Sequence, residues 1–205
     1  MSQIQQIYKA RNTIIKQLVA QNYDVSEYNL FSVNEIDAML SNNQLDMLVS
    51  DDDTQRKAYV KFYVDAKQFR PQVLDEIIED LFLVETVLTK RDTLVVVIDA
   101  EPNDTMIEKM KYLLAHSGIF VVVHNIRRLQ FNVLEHRLVP PVRVLSEGEA
   151  AELCAHYNLK SVVQLPEISR FDPQALAILL RPGQVCAIER DSATALKTMY
   201  YRACK

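Results

Sequence analysis

The sequence predicts an α+β protein of two domains, an N-terminal α/β domain over residues 1–139 and a small C-terminal α+β domain over residues 140–205. Three observations predict it. Two continuous apolar runs, LVVVID from Leu94 to Asp99 and IFVVV from Ile119 to Val123, read as strands buried on both faces. The segment between them carries helix punctuation, so the three together read as one parallel strand–helix–strand unit with a right-handed crossover. Pro140-Pro141 then breaks the chain, and the segments after it differ in composition from those before.

The first element is a helix, because Ile4, Ile7, Ile14, Ile15, Leu18 and Val19 mostly recur at helical spacing. Ser32-Val33-Asn34-Glu35 fits a capping box, in which the Ser hydroxyl accepts from the backbone three residues on and the Glu reaches back. A short helix with Ile36, Met39 and Leu40 follows and ends near Asn42-Asn43. LDMLVS (residues 45–50) and AYVKFYV (residues 58–64) read as strands around a polar turn from Asp51 to Lys57. In the second, Val60, Phe62 and Val64 share one face and Tyr59, Lys61 and Tyr63 the other. Pro71 suits the first turn of the next helix, whose apolar face is Val73, Leu74, Ile77, Ile78, Leu81 and Phe82. Asp104 or Thr105 caps a helix running to about His116, and Gly118 ends it.

In the C-terminal domain Ser146 and Glu149 form a second capping box, opening a helix through Leu153 to Tyr157. Asp172 caps a third short helix with Pro173 at its first position. Pro182-Gly183 occupies the central positions of a type II turn, where glycine supplies a positive φ. QVCAIER and KTMYYRAC are strands linked by Asp191-Ser192. One of the chain's three glycines and three of its seven prolines fall between Gln164 and Val185. None of the capped or turned elements there carries a reacting group. Rigid elements lose little entropy on docking, so this stretch reads as an assembly surface.

Hydrophobic residues are 49% of the 205, enough for a core, and the formal net charge is −4. A chain that bound nucleic acid alone would carry a basic surplus. Cys154, Cys186 and Cys204 form no CxxC pair and read as reduced thiols. No run reaches the length of a membrane span, and MSQIQQIYKA lacks a signal-peptide apolar core, so a soluble, intracellular chain is expected.

Candidate chemistry is sparse. Asp51-Asp52-Asp53 could hold Mg²⁺, but three acids between two strands read better as a solvated turn. A restriction-type nuclease needs a carboxylate, then an acid and a Lys two residues apart on one strand face. Here Tyr59 stands where that acid should precede Lys61, and Asp46 alone cannot hold the metal. His116, His124, His136 and His156 have no zinc-ligand spacing and read as structural. Asp99, at the end of a buried strand, reads as a turn or capping residue, and Arg127-Arg128 as a solvated turn or strand edge rather than a phosphate site. Three glycines leave no phosphate-cradling loop. No catalytic residue, metal or cofactor is expected.

The C-terminal segment resembles one family. EHRLVPP (residues 135–141), QLPEI (164–168), Asp172-Pro173, RPGQV (181–185) and IERDSATA followed by YYR (188–195 and 200–202) stand in the order and spacing of the fifth, shared subunit of eukaryotic RNA polymerases. The second domain of that protein corresponds to the small H-type subunit of archaeal polymerases. Upstream, YKARNTI (Tyr8 to Ile14) resembles the family's opening Trp-Lys-x-Arg-x-Thr-Ile, with Tyr8 in the Trp position, and NYDV and LDMLV follow in order.

The resemblance implies a jaw domain of nuclease-like fold without nuclease activity, followed by an assembly domain. It implies a non-catalytic subunit docked on the largest polymerase subunit among other polymerase subunits. Duplex DNA is met weakly and only in the assembled complex, with no membrane and no small-molecule substrate. Carried over residue by residue, the partner-binding positions are His136, Pro140, Leu165, Pro166, Asp172, Pro173, Arg181, Gly183, Arg190, Ser192, Thr194, Tyr201 and Arg202. Two departures stand out. Pro182 replaces the Arg of the family's Lys-Arg-Gly, and Leu196 stands where the family has Gly, so the loop after Ser192 is expected to differ if that Gly needs positive φ. These departures, with the short loop before Asp51, look like a divergent copy of the sort large cytoplasmic DNA viruses encode, which would act in the virion and host cytoplasm; a cellular member would be nuclear. The alternatives are a metal-dependent nuclease and a free transcription regulator with a borrowed assembly domain.

Overall fold

The structure is a computed structural model that describes residues 2–29, 31–51, 54–64 and 69–205. The chain divides into two compact units, Met1–Phe131 and Asn132–Lys205. The division falls after Phe131 rather than at Pro140. The segment between them belongs with the second unit, because Leu134 packs on that unit's core and Pro140 O accepts from Gln174 Nε2 at 3.0 Å.

The first unit opens with helix α1 (Gln3–Val19), capped by a box in which Ser2 Oγ accepts from Gln5 N and Gln5 Oε1 from Ser2 N. Ile7, Ala10, Ile14 and Leu18 form its buried stripe at helical spacing. Strand β1 (Tyr23–Asp24) follows, then helix α2 (Val33–Ser41) behind the expected Ser32–Glu35 box. The sheet runs β1-β2-β3-β4-β5, with β2 Met47–Asp51, β3 Lys57–Tyr63, β4 Thr93–Ile98 and β5 Phe120–Asn125. β1 and β2 pair antiparallel, as do β2 and β3, while β3, β4 and β5 are mutually parallel.

Two parallel crossovers are therefore present, not one. Helix α3 (Pro71–Ile78) joins β3 to β4, and helix α4 (Asp104–Tyr112) joins β4 to β5. The first escapes the sequence because β3 alternates between buried and half-exposed residues, the pattern of a hairpin strand; β4 and β5 are buried throughout. Both crossover helices end in π turns, Glu79–Val84 and Leu113–Ser117. Gly118 stops the second at φ +72°. The cap of α4 is Asn103, whose Oδ1 accepts from Met106 N at 2.9 Å, rather than Asp104 or Thr105.

Asp51 is a further correction. It ends β2 with 9% of its surface exposed, and its carboxylate accepts from Thr54 Oγ1, so it is no solvated turn residue; Asp52 and Asp53 lie outside the described residues. The buried Asp92 ties the start of β4 to β3. Its Oδ1 accepts from Lys57 N at 2.7 Å and its Oδ2 from both the N–H and the hydroxyl of Thr89 at 2.7 Å.

The second unit holds a four-stranded sheet in the order β6-β8-β9-β7, with β6 Val142–Val144, β7 Glu167–Ile168, β8 Val185–Ser192 and β9 Leu196–Cys204. Only the β7–β9 pair is parallel. Helix α5 (Glu147–His156) starts at the Ser146–Glu149 box, and helix α6 (Pro173–Ala177) at Asp172, whose Oδ1 accepts from Gln174 N at 2.9 Å. Ile168, Ala175, Ile178, Leu180 and Ile188 share a core with the free thiols Cys186 and Cys204. Burial pushes the Cys204 thiol up to about 11, which keeps it protonated and unreactive near neutral pH. No helix among the described residues is long and apolar enough to cross a membrane.

Candidate docking surface

The Pro182 turn has the expected geometry. Gln184 N donates to Arg181 O at 3.0 Å, closing a β-turn with Pro182 and Gly183 at its centre, and Gly183 has φ +87°. Gly183 N donates to Cys204 O at 3.0 Å, which ties the turn to the end of β9. Arg181 N donates to Gln184 Oε1 at 2.9 Å. Leu165 packs on the smaller core cluster, and Pro166 O accepts from Ala203 N at 2.9 Å. Gly183, Ala203 and Val163 border a cavity of about 210 Å³ here, and Val163 is 73% exposed. On another part of the unit, the Pro140–Gln174 bond sets Pro140 beside Asp172 and Pro173 at the start of α6. His136 closes a 3₁₀ turn, and its Nδ1 accepts from Leu138 N at 3.2 Å.

The remaining expected positions lie on the long β8–β9 hairpin. Arg190 stacks over the Tyr200 ring at 4.1 Å, and Arg202 lies 5.5 Å from the same ring, so one tyrosine carries both cations. Tyr201 alternates to the other face of β9 and packs against the cluster of Leu145, Leu153, Val185 and Ala187. At the tip, Ser192 Oγ lies 3.3 Å from Thr194 Oγ1 and accepts from Ala195 N, so both hydroxyls serve the turn itself. Asp191 and Ser192 belong to β8, and the link is Ala193–Ala195. The structure thus gathers Leu165, Pro166, Arg181 and Gly183 at one place, Pro140, Asp172 and Pro173 at a second, and Arg190, Ser192 and Thr194 at a third. Two exposed apolar side chains, Val163 and Tyr157, escape sequence reading as surface features, because periodicity assigns a face only within an element and neither lies in an amphipathic run.

Leu196 has a positive φ, +60°, although it is not glycine. The loop carries the strain on a side chain 86% exposed. Leu196→Gly is therefore expected to stabilise the protein by about 0.5 kcal/mol, the left-handed strain of roughly 1 kcal/mol less part of glycine's greater unfolded-state entropy. Urea denaturation showing a loss of stability instead would refute this.

In the first unit the nuclease constellation is engaged locally. Asp46 Oδ2 accepts from Tyr59 OH and Lys61 Nζ, both at 3.0 Å, and its Oδ1 from Phe62 N at 3.0 Å. Burial foremost, then the Asp46 carboxylate, pushes the Tyr59 phenol far above its usual value, so it stays a donor. No group of three His, Cys, Asp or Glu among the described residues could hold a metal ion. Asp99, in the bend after β4, pairs with Arg127 at 3.5 Å, and Arg128 pairs with Glu101 at 3.0 Å. Both arginines follow β5 in a solvated turn, as expected.

Comparison with known proteins falls on the second unit. The family model described as RNA polymerase Rpb5, C-terminal domain, matches residues 131–204. The DNA-directed RNA polymerase subunit Rpo5 of Thermococcus kodakarensis is 44% identical over 73 residues, 36% of this chain and 88% of that protein. Rpo5 of Methanococcoides burtonii is 37% identical over 73 residues, 36% of this chain and 92% of that protein. The DNA-directed RNA polymerases I, II, and III subunit RPABC1 of Caenorhabditis elegans is 47% identical over 74 residues, 36% of this chain and 35% of that protein. With nearly the whole length of an archaeal Rpo5 matched at this identity, on a unit that folds around the motifs themselves, the chain belongs to the Rpb5 family, whose archaeal members are the Rpo5 subunits.

Proposed function

We propose that this chain is a non-catalytic subunit of a multisubunit DNA-directed RNA polymerase. Its C-terminal unit docks on the largest subunit, and its N-terminal unit serves as a jaw near downstream duplex DNA. The observation that carries the reading is the match of the C-terminal unit to 88% of an archaeal polymerase subunit, over motifs that here build rigid turns and caps. The engagement of Asp46 by Tyr59 and Lys61 favours this reading over a nuclease. The departures at Pro182 and Leu196 support a viral copy, working in the virion and host cytoplasm, over a nuclear cellular subunit.

The test is recovery of the tagged chain from its native cell, followed by mass spectrometry. The largest polymerase subunit is expected in the eluate, and its absence refutes the docking role. Gly183→Val sharpens the test. Nothing lies within 4 Å of the position its Cβ would take, so the cost is conformational: about 2 kcal/mol for a β-branched residue at φ +87°. Recovery of the largest subunit is expected to fall several-fold, while Gly183→Asn, which tolerates this φ, and Asp51→Ala, in the other unit, recover it normally. Normal recovery with Gly183→Val would move the docking surface away from the turn.

A further inference from the structure

A groove of about 500 Å³ opens on the second unit between α5 and β9. Its floor is apolar, formed by the buried Leu145 and Leu153. Its walls are aromatic. Tyr157 and Tyr201 stand with ring centroids 6.2 Å apart at 60°, and His156 meets Tyr157 edge-on at 4.8 Å and 87°. Tyr157 is 54% exposed, although a tyrosine on an apolar floor could have folded down onto it. Two carboxylates and the Arg143 cation line the same groove. Glu149 is already taken, its Oε1 by Arg143 at 2.7 Å and its Oε2 by Ser146. Glu152 has no ion pair or hydrogen bond among the described residues.

We propose that this groove seats an arginine side chain of the polypeptide on which the unit docks, an inference that rests on the docking reading above. A tyrosine ring left half-exposed, as Tyr157 is, offers the negative charge of its π cloud to a cation. An open carboxylate at the rim supplies the matching charge. A planar guanidinium satisfies both together: it stacks on a tyrosine and forks onto a carboxylate, which an ammonium does not do. The same unit already uses this chemistry internally, with Arg190 and Arg202 on Tyr200 and Arg170 5.0 Å from Phe171.

The test uses the full chain, with N-acetyl-arginine amide as probe, titrated against backbone amide NMR signals. Shifts are expected at Glu152 to Tyr157 and at Tyr200 to Arg202, with a dissociation constant in the millimolar range, and at least fivefold weaker binding of N-acetyl-lysine amide. Glu152→Lys, a solvent-facing change that spares the fold, is expected to abolish the shifts, and Tyr157→Ala to weaken them. Equal shifts from N-acetyl-leucine amide, or shifts unchanged in Glu152→Lys, overturn the proposal. In the second arm, Glu152→Lys is expected to reduce recovery of the largest polymerase subunit at least fivefold. Arginine binding with undiminished recovery means the groove does not serve docking and also overturns the proposal. Wild-type chain that recovers no polymerase fails the docking reading itself, whatever the NMR titration shows.

Discussion

Replacing Asp92 by Ala is expected to destabilise the N-terminal unit by about 3 kcal/mol, since it strands buried donors that each cost roughly 1–3 kcal/mol when left unpaired. Only 3% of Asp92 is exposed, and its two oxygens accept from Lys57 N, Thr89 N and Thr89 Oγ1. Those bonds join the entry of β3 to the turn before β4, where the parallel register Ala58↔Thr93 begins. Alanine removes the acceptor without room for bulk water to replace it. At about 3 °C per kcal/mol for a unit of this size, the thermal transition of that unit should fall by roughly 10 °C. Asp92→Asn should lose nearly as much, because its NH₂ turns a donor toward donors. Under the proposed function, recovery of the largest polymerase subunit at low temperature should not change, because the docking elements lie in the other unit. Calorimetry showing a shift under about 3 °C for Asp92→Ala would mean water reaches these donors after all.

Asp92 also shows where sequence reading stops. Caps and turns are legible because their chemistry is local. Ser32 with Glu35, Ser146 with Glu149, and Asp172 with Pro173 each complete their bonds within three residues, and the structure has all three. Pro182-Gly183 is legible for the same reason. Asp51 and Asp92 differ, because their surroundings come from chain far away or from the folded sheet. An acidic run between strands reads as solvated until its burial is seen. The β3–β4 crossover stays hidden because half-exposed alternation in β3 does not distinguish a parallel partner from an antiparallel one. The hairpin link falls one step beyond its expected place because Asp191-Ser192 is turn chemistry by composition, while the strained backbone sits at Leu196, a residue that no turn preference would choose.

The candidate surface divides in the same way. Gly183, Arg181 and Asp172 are within reach of the sequence, since a turn or a cap must be built from such residues. The groove of Tyr157, Tyr201 and Glu152 is not, because its walls come from a helix and a strand that only the fold brings together. Tyr201 is reached through resemblance alone, and nothing in the spacing of Tyr157 and Tyr201 predicts that their rings meet.

His124 carries the second large effect, a loss of about 3 kcal/mol of stability as pH falls from about 6.5 to 4, because each pH unit separating the folded and unfolded pKa is worth about 1.36 kcal/mol. It lies in β5, pairs in register with Val97 and is 7% exposed. Burial foremost, and then the Arg128 cation, lowers its pKa to about 4. The folded pKa is thus depressed below the unfolded value of 6.5. Above that value neither state binds the proton, and the full stability is present. Between the two values only the unfolded chain is protonated, so stability drains as pH falls, and below about 4 the loss is complete. Carboxylates also titrate near the lower end of this window, so the wild type alone does not isolate the histidine. His124→Gln does, because it keeps a polar side chain that cannot titrate. Urea denaturation at pH 7, 5.5 and 4 is expected to show the two proteins diverging, the wild type losing about 3 kcal/mol more than the variant across the range. Parallel curves would mean that the imidazole is charged in the fold, with an anion or water beside it that burial in β5 gives no reason to expect.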